Sequence, residues 1–187
     1  MSTSTSTFGW LWWSLMVSIS ALNFALLYVG LLRCPASGDG DEKPSAAREH
    51  RRLLRSCAVI FTIVAAYRSV LPRIDVPRTC FFDTPLNWVL FGRSAATVAE
   101  VAWSVQMGIV LSMLGAKLHA GRMVSQSAAK RALFGGRAVV CMACVAECNS
   151  WTNLVSENNL FAVVEQSLWS LLFLTTGVGI GSLLRFW

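Results

Sequence analysis

The sequence predicts an all-α protein: a polytopic transmembrane helical bundle of five spanning helices, N-terminus outside and C-terminus inside. Three observations lead there. The 187 residues are 55% hydrophobic and only 14% charged, whereas a soluble domain carries about a quarter charged residues. The apolar residues fall in discrete blocks, the pattern of a multi-pass membrane protein rather than of an unusually greasy globule. The Lys and Arg residues lie between those blocks and are shared unequally between alternate sides.

The elements follow in order. Residues 1–7 are polar and uncharged. Residues 8–32 form an apolar run of 25, long enough at about 1.5 Å per residue to span a hydrocarbon core of about 30 Å. No basic segment precedes the run, and Arg33-Cys34-Pro35 is not a small-residue cleavage site, so a retained helix is expected rather than a signal peptide. Trp10, Trp12 and Trp13 at its start fit an interfacial aromatic belt. Residues 33–52 form a loop with Gly, Pro and both charge signs, whose second half begins the next helix at the membrane surface. The second span covers 53–72. Only 12 residues separate Arg55 from Arg68, about 18 Å of helix. Arg68 therefore lies inside the far leaflet, facing the bundle or snorkelling outward. Pro72 and Pro77 stop this helix.

Residues 78–92 hold aromatic and aliphatic side chains too interrupted to span, and a short interfacial or re-entrant segment is expected there. The third span, 94–116, carries Glu100 and Gln106. A basic, polar loop follows. The fourth span, 132–151, has Gly135-Gly136 near its start; a turn over 152–159 leads to the fifth, 160–184. The whole chain, 1–187, reads as one integral membrane domain without a separate soluble part.

Orientation comes from the basic residues. Arg33, Lys43, Arg48, Arg51, Arg52, Arg55, Lys117, Arg122, Lys130, Arg131, Arg137 and Arg185 fall on one side. Arg68, Arg73, Arg78 and Arg93 fall on the other. The richer side is the inside by the positive-inside rule. The net charge of +6 is thereby accounted for by lipid headgroups and topology. No RNA- or DNA-reading motif accompanies it, so nucleic acid is not an expected partner.

Three carboxylates stand inside otherwise apolar spans: Glu100, Glu147 and Glu165. A bare carboxylate in hydrocarbon is costly and needs a partner, a proton or water, which makes each a functional candidate. Counted from the ends of their spans, the three fall at one level of the outer leaflet, about 9–10 Å deep. Arg68 enters the same layer. Each acid is followed by a tryptophan on the same helical face: Trp103, Trp151 and Trp169 at spacings of three or four. An indole N–H there donates to a carboxylate, or the rings wall a pocket. Two readings of the cluster stay open. One is a binding site for a cation, a proton or a small polar ligand, in transport or sensing. The other is a network that only fixes helix register, as in a non-catalytic structural or accessory subunit of a larger membrane complex.

The six cysteines, Cys34, Cys57, Cys80, Cys141, Cys144 and Cys148, do not form a secreted disulfide framework. Cys141, Cys144 and Cys148 share one helical face, where small residues at a helix contact explain them better than redox or metal chemistry. Cys144, Cys148 and Glu147 form a weak metal candidate, without the second pair that zinc spacing requires. Glu-x-x-His pairs of di-iron sites are absent from the spans. So are a phosphate-binding loop, H-E-x-x-H and the G-x-S-x-G nucleophile elbow, and no catalytic residue or cofactor is assigned. Gly177 and Gly181 form G-x-x-x-G, a pattern for close helix packing. The expected partners are the lipid bilayer and, beyond it, a second copy or subunits of a membrane complex.

Overall fold

The computed structural model describes residues 7–33, 46–74, 79–80, 82 and 84–184. Within them lie five α-helices: α1 (Thr7–Arg33), α2 (Ala46–Val70), α3 (Val89–Ala120), α4 (Gln126–Ser156) and α5 (Asn159–Leu184). All five are long and apolar enough to cross a membrane. Cys34, Lys43, Pro77, Arg78, Phe81 and the terminal Arg185, Phe186 and Trp187 lie outside the described residues.

The helices outrun the apolar spans that mark them. α3 begins at Val89 and α4 extends from Gln126 to Ser156, where hydropathy alone places 94–116 and 132–151. Hydropathy marks the part of a helix suited to hydrocarbon, whereas backbone pairing continues until a cap or breaker stops it. At the start of α4 the hydroxyl of Ser125 accepts a hydrogen bond from the Ala128 N–H at 3.3 Å. At its end Glu157 turns left-handed (φ 54°) and donates its N–H to the Asn153 carbonyl. Asn158 Oδ1 then accepts from the Leu160 N–H at 3.0 Å and caps α5. The turn over 152–159 thus contracts to Glu157 and Asn158. The segment over 78–92 also divides: Pro85–Asn87 is one 3-10 turn, Trp88 is extended, and residues from Val89 onward belong to α3. Gly92 alone does not break that helix, because a helical glycine costs only about 1 kcal/mol.

The chain divides into two compact units, Met1–Ala99 and Glu100–Trp187. In the first, α1 packs on α2. The Trp13 indole N–H donates to the carbonyl of Val70, the last residue of α2, at 3.1 Å. Trp13 meets Trp10 and Phe82 edge to face, each at 5.8 Å between ring centroids. The Tyr67 hydroxyl donates to the Leu86 carbonyl, and Arg73 and Ile74 pair antiparallel with Cys80 and Thr79. The connection between α2 and α3 is therefore folded over this end of the first unit. Trp10 and Trp12 are exposed, as a belt residue must be, while Trp13 is tied to the α2 terminus.

In the second unit the interior is small and the exterior large. Ala132, Val139, Ala143 and Ala146 are buried on α4, with Ala102 and Ser104 on α3. Phe134, Val145, Phe173 and Leu174 are exposed. Small inward residues let the backbones approach. Gly108 of α3 and Gly136 of α4 meet so closely that a Cβ on Gly136 would lie 2.5 Å from the Gly108 carbonyl oxygen. One contact lower, a Cβ on Gly115 would lie 2.7 Å from the Ala132 methyl. Leu111, Val139, Ala143 and Leu172 form the packed centre where α3, α4 and α5 converge.

Candidate functional site

All three carboxylates of the apolar spans belong to the second unit. Glu147 and Glu165 are buried, at 3% and 8% exposure, and Glu100 is half-buried. Small buried residues accompany Glu147 and Glu100 on their helices, and larger ones share the buried side of α5 with Glu165. Glu147 follows Ala143 and Ala146 and precedes Ser150, all buried. Glu165 is one of four buried residues on α5, with Leu172, Thr176 and Leu183. Glu100 lies between the buried Ala99 and Ala102, and its own carbonyl accepts from the hydroxyl of the fully buried Ser104 at 2.8 Å.

Their heights follow from two helix contacts. Two short hairpin turns make α3 and α5 parallel and α4 antiparallel to both. Counting about 1.5 Å per residue up from the close approach of Gly108 and Gly136, Glu100 stands about 12 Å and Glu147 about 16 Å higher, within one helical turn of each other. A second contact places Glu165: Trp103 of α3 and Trp169 of α5 meet with ring centroids 6.4 Å apart. Glu100 and Glu165 stand one turn above these rings, toward the α4–α5 turn.

Trp103, Trp169 and Phe173 together make an aromatic floor under the carboxylate layer. Phe173 lies 5.2 Å from Trp103 and 6.4 Å from Trp169. Trp103 and Trp169 also pack against the leucine-rich centre below. Phe173, the exposed member of the three, carries no charge-related signal in the sequence; its spacing of four from Trp169 was the one available clue. Trp151, one turn beyond Glu147, is half-buried on α4. Arg68 lies on α2 in the first unit with its side chain exposed.

The cysteine row sits elsewhere. Cys141, Cys144 and Cys148 are all exposed, so they do not form the contact of α4 with its neighbours. Ala132, Gly136, Val139 and Ala143 do that instead. Glu147 is buried while Cys144 and Cys148 face outward. Among the described residues no three His, Cys, Asp or Glu side chains are grouped as a metal ion needs. Gly177 and Gly181 meet nothing within 4 Å of where a Cβ would stand, so their G-x-x-x-G face is open among the described residues.

What the arrangement offers chemically is a set of carboxylate oxygens in apolar surroundings, with aromatic faces below. Such a set suits a proton or a cation, because like charges held close in a poorly solvated place are relieved by either. Aromatic faces add attraction for an organic cation. Compared with protein-family models, with curated proteins and with solved structures, the chain matches none of them.

Proposed function

We propose that this chain is an integral, multi-pass membrane protein whose carboxylate layer binds a cation, a proton or a small polar ligand, for transport or sensing. Its N-terminus lies on the non-cytoplasmic side and its C-terminus inside, by the twelve-to-four division of basic residues named above. Membrane residence is supported by five apolar helices and by an exterior larger and more apolar than the interior, an arrangement suited to lipid and not to water. The carboxylate layer is then reached from the non-cytoplasmic side. One observation supports the binding reading: three helices of one unit each carry an acid, two of them buried and the third half-buried, and Trp103 and Trp169, one turn from Glu100 and Glu165, are in contact.

The proton is the probe that tests this. Tryptophans border the layer, so their fluorescence should titrate with pH in the protein purified in mild detergent. Glu165→Gln and Glu100→Gln should keep the helical circular-dichroism spectrum and a single chromatographic peak. Each should lose most of the fluorescence change. If both variants unfold and no variant that folds loses the titration, the acids serve register alone.

The second reading, an accessory subunit of a membrane complex, is favoured by the open Gly177 and Gly181 face of α5. A partner helix laid on that face would approach closely.

A further inference from the structure

A groove of about 540 Å³ runs between the first half of α4 and the second half of α5. It lies in the half of the second unit that the carboxylates do not occupy. Leu111 of α3 forms its floor, and Gly135, Leu174, Val178 and Leu183 form much of its walls. The groove exists because Gly135 has no side chain: a Cβ built there meets nothing within 4 Å. Gly179 lets the floor rise, its Cβ direction reaching a Leu111 methyl at 3.2 Å. Two hydroxyls line the wall but are already engaged. Thr175 donates to the Leu171 carbonyl and Ser182 to the Gly179 carbonyl, each at 2.8 Å. The wall is therefore effectively apolar.

One end of the groove is charged. Arg131 lines it, is exposed, and makes no hydrogen bond or ion pair among the described residues. Lys117, Arg122 and Lys130 stand at the same end of the unit, whose acids Glu100, Glu147, Glu157 and Glu165 all lie in the opposite half. From Leu183 to Leu174 the groove follows about 13 Å of helix, close to the ~15 Å depth of one hydrocarbon leaflet. It starts at a basic surface and descends toward the bilayer middle, the path of a lipid tail.

We infer that this groove holds one acyl chain of an anionic glycerophospholipid, with the headgroup phosphate on Arg131. Charge complementarity selects the headgroup, and apolar shape selects the tail. The inference rests on the membrane reading above, though not on the carboxylate layer. Guanidinium and phosphate make a bidentate, charge-assisted pair, and a zwitterionic lipid, whose net charge is zero, gains less from the basic surface.

The full chain, extracted in mild detergent, is mixed with equal amounts of phosphatidylglycerol and phosphatidylcholine and examined by native mass spectrometry. The chain should retain one phosphatidylglycerol, in about fivefold preference, the worth of one basic residue near a lipid surface. Arg131→Gln should bind the two lipids equally. Gly135→Leu, whose first added carbon meets nothing within 4 Å and whose side chain enters the groove, should retain neither while keeping its circular dichroism. Equal retention of both lipids by the unaltered chain overturns the site, as does unchanged retention in Gly135→Leu. A dimer that Gly135→Leu dissociates would show that a second copy occupies the groove, and overturns it too. Any of these in a chain that stays in alkali-washed membranes refutes the lipid site alone. Release of the chain by the wash refutes the membrane reading as well.

Discussion

Gly136→Leu should destabilise the protein by about 3 kcal/mol or more, at the upper end of the range for overpacking a tight core. Even the first added carbon would stand 2.5 Å from the Gly108 carbonyl oxygen and 2.9 Å from the Ser112 hydroxyl. The first of these is backbone and cannot rotate aside, so α3 and α4 must separate. Separation spreads the cost, because the Gly115–Ala132 approach and the Leu111–Val139 packing lie on the same crossing. In lipid no water is expelled when helices meet, so close van der Waals contact carries much of their association. Gly136→Ala has the same sign: about 1 kcal/mol of helix propensity is gained, but the clash outweighs it. Gly135 is the control, one residue away and facing open space. Detergent unfolding titrations of both alanine variants should move in opposite directions, Gly135→Ala upward and Gly136→Ala downward. Two upward shifts would mean that the helices do not cross at Gly136.

Trp103→Ala has the second largest expected effect, about 2–3 kcal/mol, below the full scale of core aromatic truncations because the ring is half-buried. The ring touches Trp169 and Phe173 on α5 and packs on the centre formed by Leu111 and Leu172. Its removal opens a cavity between α3 and α5 and takes away the floor of the carboxylate layer. A double-mutant cycle with Phe173→Ala should show a coupling of about 0.5–1.5 kcal/mol. The pH titration of tryptophan fluorescence should also broaden, as water reaches below the acids. Additive losses in the cycle would show that the two rings do not support each other.

Much of this fold was legible in the amino-acid order, and the misses are informative. Each apolar block became one helix, but Ser125 and Glu157 show why the helix ends escaped hydropathy: caps end helices, and caps are polar residues outside the hydrophobic run. The shared level expected of Glu100, Glu147 and Glu165 rests on counting from the turns at a nearly constant rise per residue. Which face pointed inward was harder. Periodicity places Cys141, Cys144 and Cys148 together without saying whether that stripe meets protein or lipid. The stripe of Ala132, Gly136, Val139 and Ala143 won the interior instead, being small enough for close approach. The tightest crossing joins Gly108 to Gly136, on different helices, so no motif within one helix marks it. G-x-x-x-G at Gly177 and Gly181 marks a face that nothing among the described residues covers.

The carboxylate layer is tested most directly by single cysteines at its three corners. Glu100→Cys, Glu147→Cys and Glu165→Cys are placed one at a time in a chain whose six native cysteines are serine, and reconstituted in sealed vesicles of known orientation. A charged, membrane-impermeant thiol reagent added on the non-cytoplasmic side should modify all three, and a lipid-soluble reagent should hold no advantage at any of them. Modification from the lipid phase only, or from the opposite side, would contradict a shared chamber and leave the acids as separate helix fasteners.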